Sequence, residues 1–286
     1  MKKRILQIGV HLLLLVFLSL LGGLLAATLV RFAPGYGVDE RELDPRLGQA
    51  SVESLRAAKT LHSGIFSYYG HFLAGAVRGD WGTSQWLQRP ISSLIRERFP
   101  VTLREVLLGT AVAWVAALAG SFTVAFFRGF AFEISGTLLS GALIALPTAV
   151  VAMFALYLGA PAFTAIAVVT FPKLFRYLRN LLAHASAQPY ILAAQARGIG
   201  RARILSHNVV PCILPAMIAL LGVSLSMAFG AAIPIEALCD SPGIGQLAWQ
   251  AALNRDLPLI MALTLLVTLI TVAANSFGDL AGRRAQ

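Results

Sequence analysis

Six apolar runs alternate with shorter polar stretches along this chain, over residues 5–30, 101–127, 134–158, 162–182, 209–233 and 259–277. Crossing a hydrocarbon core about 30 Å thick takes roughly 20 mostly apolar residues, and each run has that length. Lipid offers the backbone no hydrogen-bond partners, and the runs are too long and unalternating for barrel strands. They therefore predict six membrane-spanning helices and an all-α polytopic fold. Between the first two runs, residues 31–100 are charged, mixed in sign and rich in turns. There Asp44-Pro45 breaks the chain and Ser51 is placed to cap a helix over 52–60. Ile65, Phe66, Tyr69, Phe72, Leu73 and Ala76 recur at helical spacing. Ile91, Leu94 and Ile95 suggest a short interfacial helix before Pro100 opens the second span. Gly159-Ala160-Pro161 predicts a tight turn between spans three and four, and Pro234 is expected to end span five.

Composition agrees with this pattern: 57% of residues are hydrophobic, 13% are charged and mean hydropathy is +0.75, which excludes an ordinary soluble domain. The formal charge of +10 could suggest nucleic-acid binding, but its placement argues otherwise. With the N-terminus inside, one side of the membrane holds Lys2, Lys3, Arg4, Arg128, Lys173, Arg176, Arg179, Arg197, Arg201, Arg203, Arg283 and Arg284. Only Glu133 and Asp279 oppose them there, so the other side is left neutral. The excess of Lys and Arg in short loops marks the cytoplasmic side. Both termini are thus expected in the cytoplasm. The chain divides into a first span over 1–30, an extracytoplasmic helical region over 31–100, and a five-helix core over 101–286. The apolar run after Lys2-Lys3-Arg4 exceeds a signal-peptide core of about 7–15 residues, so a retained span is expected.

The most polar interruption of the second half is Tyr190-Ile-Leu-Ala-Ala-Gln-Ala-Arg-Gly198, continuing through Arg201, Arg203 and His207 to Pro211. A short helix, a turn at Gly198 and a second helix leading into span five are expected, with Ala193 and Ala194 small enough for close contact with a partner. On span five Gly222, Ser226 and Gly230 fall every four residues, a stripe that suits helix packing or the lining of a solute path. Chemistry of its own is not in sight. None of Lys2, Lys3, Lys59 or Lys173 stands in a G-x-x-x-x-G-K-[ST] loop. His11, His62, His71, His184 and His207 form no metal-binding spacing, and no G-x-S-x-G turn occurs. Cys212 and Cys239 are a helix length apart, which disfavours a disulfide. No catalytic residue, metal or cofactor is expected in this chain.

Four stretches together resemble the permease subunits of the dipeptide, oligopeptide and nickel class of bacterial ABC importers. Gly79-Asp80-Trp81-Gly82-Thr83-Ser84 with Pro100-Val101-Thr102-Leu103 is similar to that family's G-D-hydrophobic-G-x-S segment and P-x-T-L span start. Arg176-x-x-Arg179, Tyr190-Ile191 and Ala194-Gln195-Ala196-Arg197-Gly198 resemble its coupling, or "EAA", loop, here about 183–208. Glu236 with Pro242-Gly243-Ile244-Gly245 resembles its E…P-G-x-G turn. Arg255-Asp256-x-Pro258 with Asn275 and Asp279 resembles its R-D-x-P…N-x-x-x-D ending. Leu192 stands where the named loop has glutamate, and Ala183 where members commonly carry an acid. The resemblance implies an inner-membrane half-channel for peptides or a similar small polar solute. It pairs with a second, homologous permease and two ATPase subunits that hydrolyse ATP, and takes cargo from an extracytoplasmic binding protein. In that family the loop docks into a groove on the ATPase. Nickel or another chelated solute stays open as cargo, and so does a non-transporting scaffold of the same shape.

Overall fold

The computed structural model describes residues 17, 20–25, 28, 65–127 and 130–284, and its regular elements are all helical apart from one isolated bridge, Thr83 to Pro90. The Ser51-capped helix, most of the first span and the charged residues Lys2, Lys3, Arg4 and Arg128 lie outside the described residues. The helices are α1 (Ile65–Val77), α2 (Ile91–Phe127), α3 (Phe130–Ala145), α4 (Thr148–Tyr157), α5 (Ala162–Ser186), α6 (Pro189–Ala196), α7 (Arg201–Ile204), α8 (Val210–Leu238), α9 (Ile244–Leu253) and α10 (Leu257–Arg284). A wide π turn, Leu205–Val209, joins α7 to α8.

Among the described residues, three helices are long and apolar enough to cross a membrane: α2, the run Arg201–Leu238 that contains α7 and α8, and Leu257–Gly278 of α10. The pair Phe132–Ala145 and Thr148–Tyr157 would make a fourth, bent by 93°. The helix over 162–186 carries Lys173, Arg176 and Arg179 from its middle onward and is outside that set. Six uninterrupted spans are therefore not what the described residues present.

Proline chemistry accounts for where expectation and structure part. The run 134–158 breaks at Pro147, which lacks an amide hydrogen and disfavours helical backbone in Leu146; Pro147 itself is extended, with φ −60° and ψ 138°. Pro100, by contrast, lies inside α2, so the interfacial helix and the second span are one helix of 37 residues. Pro234 likewise lies inside α8, which continues to Leu238. A proline removes a single amide donor, and a long apolar helix carries on around that one loss. The expected turn at Gly159 is present, with φ +63°, and the helix expected from Ile65 onward is α1.

The chain forms two compact units, residues 1–98 with 247–269, and residues 99–246 with 270–286. In the first, Tyr69 of α1 packs with Leu257 and Met261 of α10, flanked by Leu24, Phe72 and Leu73. The Tyr69 hydroxyl donates to the Leu20 carbonyl at 2.7 Å, so the buried phenol keeps its hydrogen bond. In the second unit, α8 packs on α4 and α5, and α5 also packs on α3 and α4. One core layer joins Val106, Ala152, Ile166, Ala228 and Ile235, and another joins Trp114, Phe175, Leu178 and Leu220. Trp114 Nε1 donates to the buried Ser224 hydroxyl at 2.9 Å, which satisfies the indole within the bundle.

The small-residue stripe of α8 divides. A Cβ on Gly222 would lie 2.8 Å from the Gly278 Cα, and one on Gly278 would lie 2.7 Å from the Ala219 carbonyl. Two glycines thus let α8 and the second half of α10 approach backbone to backbone. Ser226 strengthens the same contact by donating to the Thr271 carbonyl at 3.0 Å. Gly230 has open space around it. Replacing Gly222 with leucine should force these helices apart and cost about 1–3 kcal/mol, whereas Gly230→Ala should be nearly neutral. Thermal unfolding of the purified protein in detergent checks both.

Candidate functional site

The polar loop forms as a helix, a turn and a helix, in that order. Pro189 starts α6 at a position where its missing amide hydrogen costs nothing. After Ala196 the chain reverses at Gly198, with φ +76°, a left-handed conformation that side chains with a Cβ disfavour. A Cβ there would meet nothing within 4 Å, so glycine is required by conformation and not by space. The Gly198 amide donates to the Gln195 carbonyl at 2.9 Å and Ile199 to Ala194 at 3.3 Å, which closes the end of α6. Beyond it, α7, the π turn and α8 run on as one helix of 38 residues. The π turn surrounds His207, whose carbonyl a proline at 211 would crowd in a regular α-helix. Widening the turn accommodates Pro211 without breaking the run.

The inner face of the loop is anchored. Ile191 and Ala194 of α6 pack with Ile204 of α7, Leu182 of α5, Val209 of the π turn and Ile213 near the start of α8, all buried. The outer face presents Tyr190, Leu192, Ala193, Arg197, Gly198, Arg201, Arg203 and His207, all exposed. The predicted site residues therefore separate: Ala194 holds the loop to its own bundle, while Ala193 and the basic residues face outward. Arg201 has a second task. Its guanidinium donates to the Phe126 carbonyl at 2.9 Å, at the last turn of α2, where unpaired carbonyls favour a cation. Arg197 folds back onto the Ala193 carbonyl at 3.3 Å, and His207 Nδ1 lies 2.8 Å from the Ser206 hydroxyl. Arg179 hydrogen-bonds the Thr137 hydroxyl on α3.

The remaining motif residues are brought together in two clusters, one in each unit. In the first unit, Gly79 and Gly82 take φ of +86° and +75°, and the Asp80 carboxylate accepts the Gly82 amide at 2.9 Å. The loop then closes through Ser84 to Arg89 and Ile91 to Gly82 backbone bonds. Ser84, fully buried, donates its hydroxyl to Asp256, which also accepts the Trp86 amide at 3.1 Å and the Leu259 amide at 3.2 Å. Asp256 thus caps the start of α10 and clamps the Gly79–Ser84 loop to it. Arg255, with φ +53°, makes the reversal out of α9 that aims Asp256 inward. The Gly79–Ser84 loop and the Arg255-Asp256 turn are one structural feature, and Ser84 is the partner that motif spacing could not assign.

In the second unit, the turn Pro242-Gly243-Ile244-Gly245 wraps over the Glu236 carboxylate. The Gly245 amide donates to Glu236 Oε2 at 2.6 Å, and the Ile244 amide donates to the Thr102 hydroxyl of α2 at 2.7 Å. A Cβ on Gly243 would fall on the Glu236 carboxylate, and one on Gly245 would lie 2.6 Å from the Ile233 Cα. Ser241 donates to Glu105 Oε1 at 2.6 Å. The P-G-x-G spacing is thereby explained: Gly243 is needed because the turn lies on a buried acid, and Gly245 because it lies on the Ile233 backbone. Among the described residues no group of three or more His, Cys, Asp or Glu side chains could hold a metal ion, and both cysteines are free.

An apolar helical bundle from which a basic, anchored helix–turn–helix projects has the build of a membrane transport permease. Residues 109–285 match the family of binding-protein-dependent transport system inner membrane components, and the chain belongs to that family, the permeases of ABC importers. It is 26% identical to the oligopeptide transport system permease protein AppB of Bacillus subtilis, with 90% of each chain covered. It is also 26% identical to the oligopeptide transport system permease protein OppB of Haemophilus influenzae, with 88% of each covered. In fold it is similar to a chain of the MetNI methionine ABC transporter, with a TM-score of 0.58 at 18% identity, covering 68% of this chain and 97% of that one.

Asp256→Ala should leave the buried Ser84 hydroxyl and the Trp86 amide without an acceptor and remove the α10 cap, costing about 1–3 kcal/mol. Ser84→Ala, which deprives the Leu87 amide of its acceptor and Asp256 of one donor but leaves the α10 cap in place, should cost less. Comparison of the two thermal midpoints checks the clamp.

Proposed function

We propose that this chain is one membrane-spanning subunit of an ATP-driven importer, moving peptides or a similar small polar solute delivered by an extracytoplasmic binding protein. The observation that carries the reading is the loop Pro189–Val209: exposed and basic on one face, bolted to α5 and α8 on the other, and helically continuous with a span. A push on its outer face is transmitted as rotation or tilt of α8, because buried side chains and an unbroken helix leave no slack between them. The docking partner is an ATPase subunit, and a second permease completes the translocation path. Membership of the binding-protein-dependent family supports a separate cargo-delivery protein, and relatives named as oligopeptide permeases over nearly their full length support peptides as cargo. The excess of basic residues in the loop supports a cytoplasmic position for this end of the bundle and, with it, cytoplasmic termini at the inner membrane.

Gly198 separates the proposal from a scaffold role. Gly198→Val should abolish peptide uptake and transport-coupled ATP hydrolysis without loss of membrane insertion, because valine resists a positive φ. Gly198→Asn, which tolerates that conformation, should retain most of both. Uptake by cells and ATPase activity of the purified complex are the readouts, and normal uptake by the valine variant would sink the docking role. Affinity purification of the intact chain in mild detergent should recover an ATPase and a second permease.

A further inference from the structure

The foot of the 38-residue run Arg201–Leu238 is joined to the last turn of α2 through one side chain. The Arg201 guanidinium reaches back 75 positions to donate to the Phe126 carbonyl at 2.9 Å, at the end of α2 where the helix dipole favours a cation. Other polar side chains of the loop stay local: Arg197 folds onto the Ala193 carbonyl of its own helix, and His207 lies against Ser206. Just before Phe126, Phe122 and Ala125 of α2 pack against the buried loop cluster of Ile191, Ala194 and Ile204. Two further hydrogen bonds tie the same helices farther along. Trp114 Nε1 of α2 donates to the Ser224 hydroxyl of α8 at 2.9 Å. At the far end, the Ile244 amide, in the turn that Glu236 holds, donates to the Thr102 hydroxyl of α2 at 2.7 Å. Positions 126, 114 and 102 thus answer 201, 224 and 244, so α2 and α8 lie antiparallel and are pinned near both ends and in the middle.

We propose that Arg201 is the positioning residue that makes α2 follow α8. Resting on the docking role proposed above for the loop, a displacement of its outer face then moves two spans as one antiparallel pair, because the guanidinium holds the end of α2 to the foot of α8. Without that bond, α2 keeps its ties at the middle and the far end, and its loop end is held by apolar contact alone. Apolar contact is non-directional and lets one helix slide on another, whereas a hydrogen bond to a charged donor fixes a point. A push on the loop would then tilt α8 past α2. Arg201 so serves within the bundle, and the exposed Arg203, two positions on, keeps the docking charge that the sequence pattern suggested for both.

The test compares three variants of the full chain: Arg201→Met, which keeps a long stem without a donor, Arg201→Lys, which restores a cationic donor, and Arg203→Met. In detergent, hydrogen–deuterium exchange over residues 122–127 should be several-fold faster in Arg201→Met and at the wild-type rate in Arg201→Lys and Arg203→Met. In vesicles holding the complex recovered with its partners, labelled oligopeptide taken up per ATP hydrolysed should fall about threefold or more in Arg201→Met. The ratio should recover in Arg201→Lys, while Arg203→Met should lower uptake and hydrolysis together. Unchanged exchange in Arg201→Met, an unchanged ratio despite faster exchange, a ratio lowered as much by Arg203→Met, or a lysine variant no better than methionine would overturn the proposal. A wild-type complex without ATP-linked uptake would instead count against the importer reading. The exchange rates then decide on Arg201: faster exchange in Arg201→Met alone supports its hold on α2, and equal rates refute it.

Discussion

A chain immersed in lipid must find partners for its buried polar groups within itself, and the described part of this protein is organised around meeting that demand. Asp256 gathers the Ser84 hydroxyl and the amides of Trp86 and Leu259, and so joins a loop to the start of a span. Thr102 and Glu236 take the amides of Ile244 and Gly245, and so fold a turn onto two helices of the second unit. Arg201 takes a terminal carbonyl of α2. Without these acceptors, unpaired amides at the helix breaks would each cost on the order of 1–3 kcal/mol, and the breaks could not sit where they do.

The same economy explains the motif glycines. Gly243 and Gly245 are dictated by the volume of Glu236 and by the Ile233 backbone, Gly222 and Gly278 by each other, and Gly198 by backbone conformation alone. These are three different requirements on one residue type. They predict different tolerances: space-limited positions reject any side chain, whereas Gly198 rejects only those that cannot reach positive φ.

The loop owes its mechanical character to having two unlike faces. Ile191, Ala194, Ile204 and Ile213 make its inner side part of the bundle core, so that the outward Tyr190, Leu192 and Ala193 are presented by a rigid element and not a flexible excursion. Leu192, in the place where the named motif has glutamate, leaves that outer face more apolar. The π turn ahead of α8 keeps the loop and the span one continuous helix, despite the proline between them.

Apolar periodicity and local turn chemistry were enough to read the helical, membrane-spanning class, the helix–turn–helix at 189–204 and the turns at Gly159 and Gly198, because each depends on residues close together in the chain. Proline effects were legible in kind but not in outcome: Pro147 breaks a helix while Pro100 and Pro234 ride inside one. The motif spacings marked Asp256, Glu236 and their glycines as special without saying to what. That Ser84 answers Asp256 across 172 positions, that Thr102 answers the Pro242–Gly245 turn across 142, and that Ala194 faces inward while Ala193 faces out are matters of tertiary packing. A hydrogen bond between distant residues leaves no period in a sequence, and a helix face acquires its inside only when another helix is laid against it.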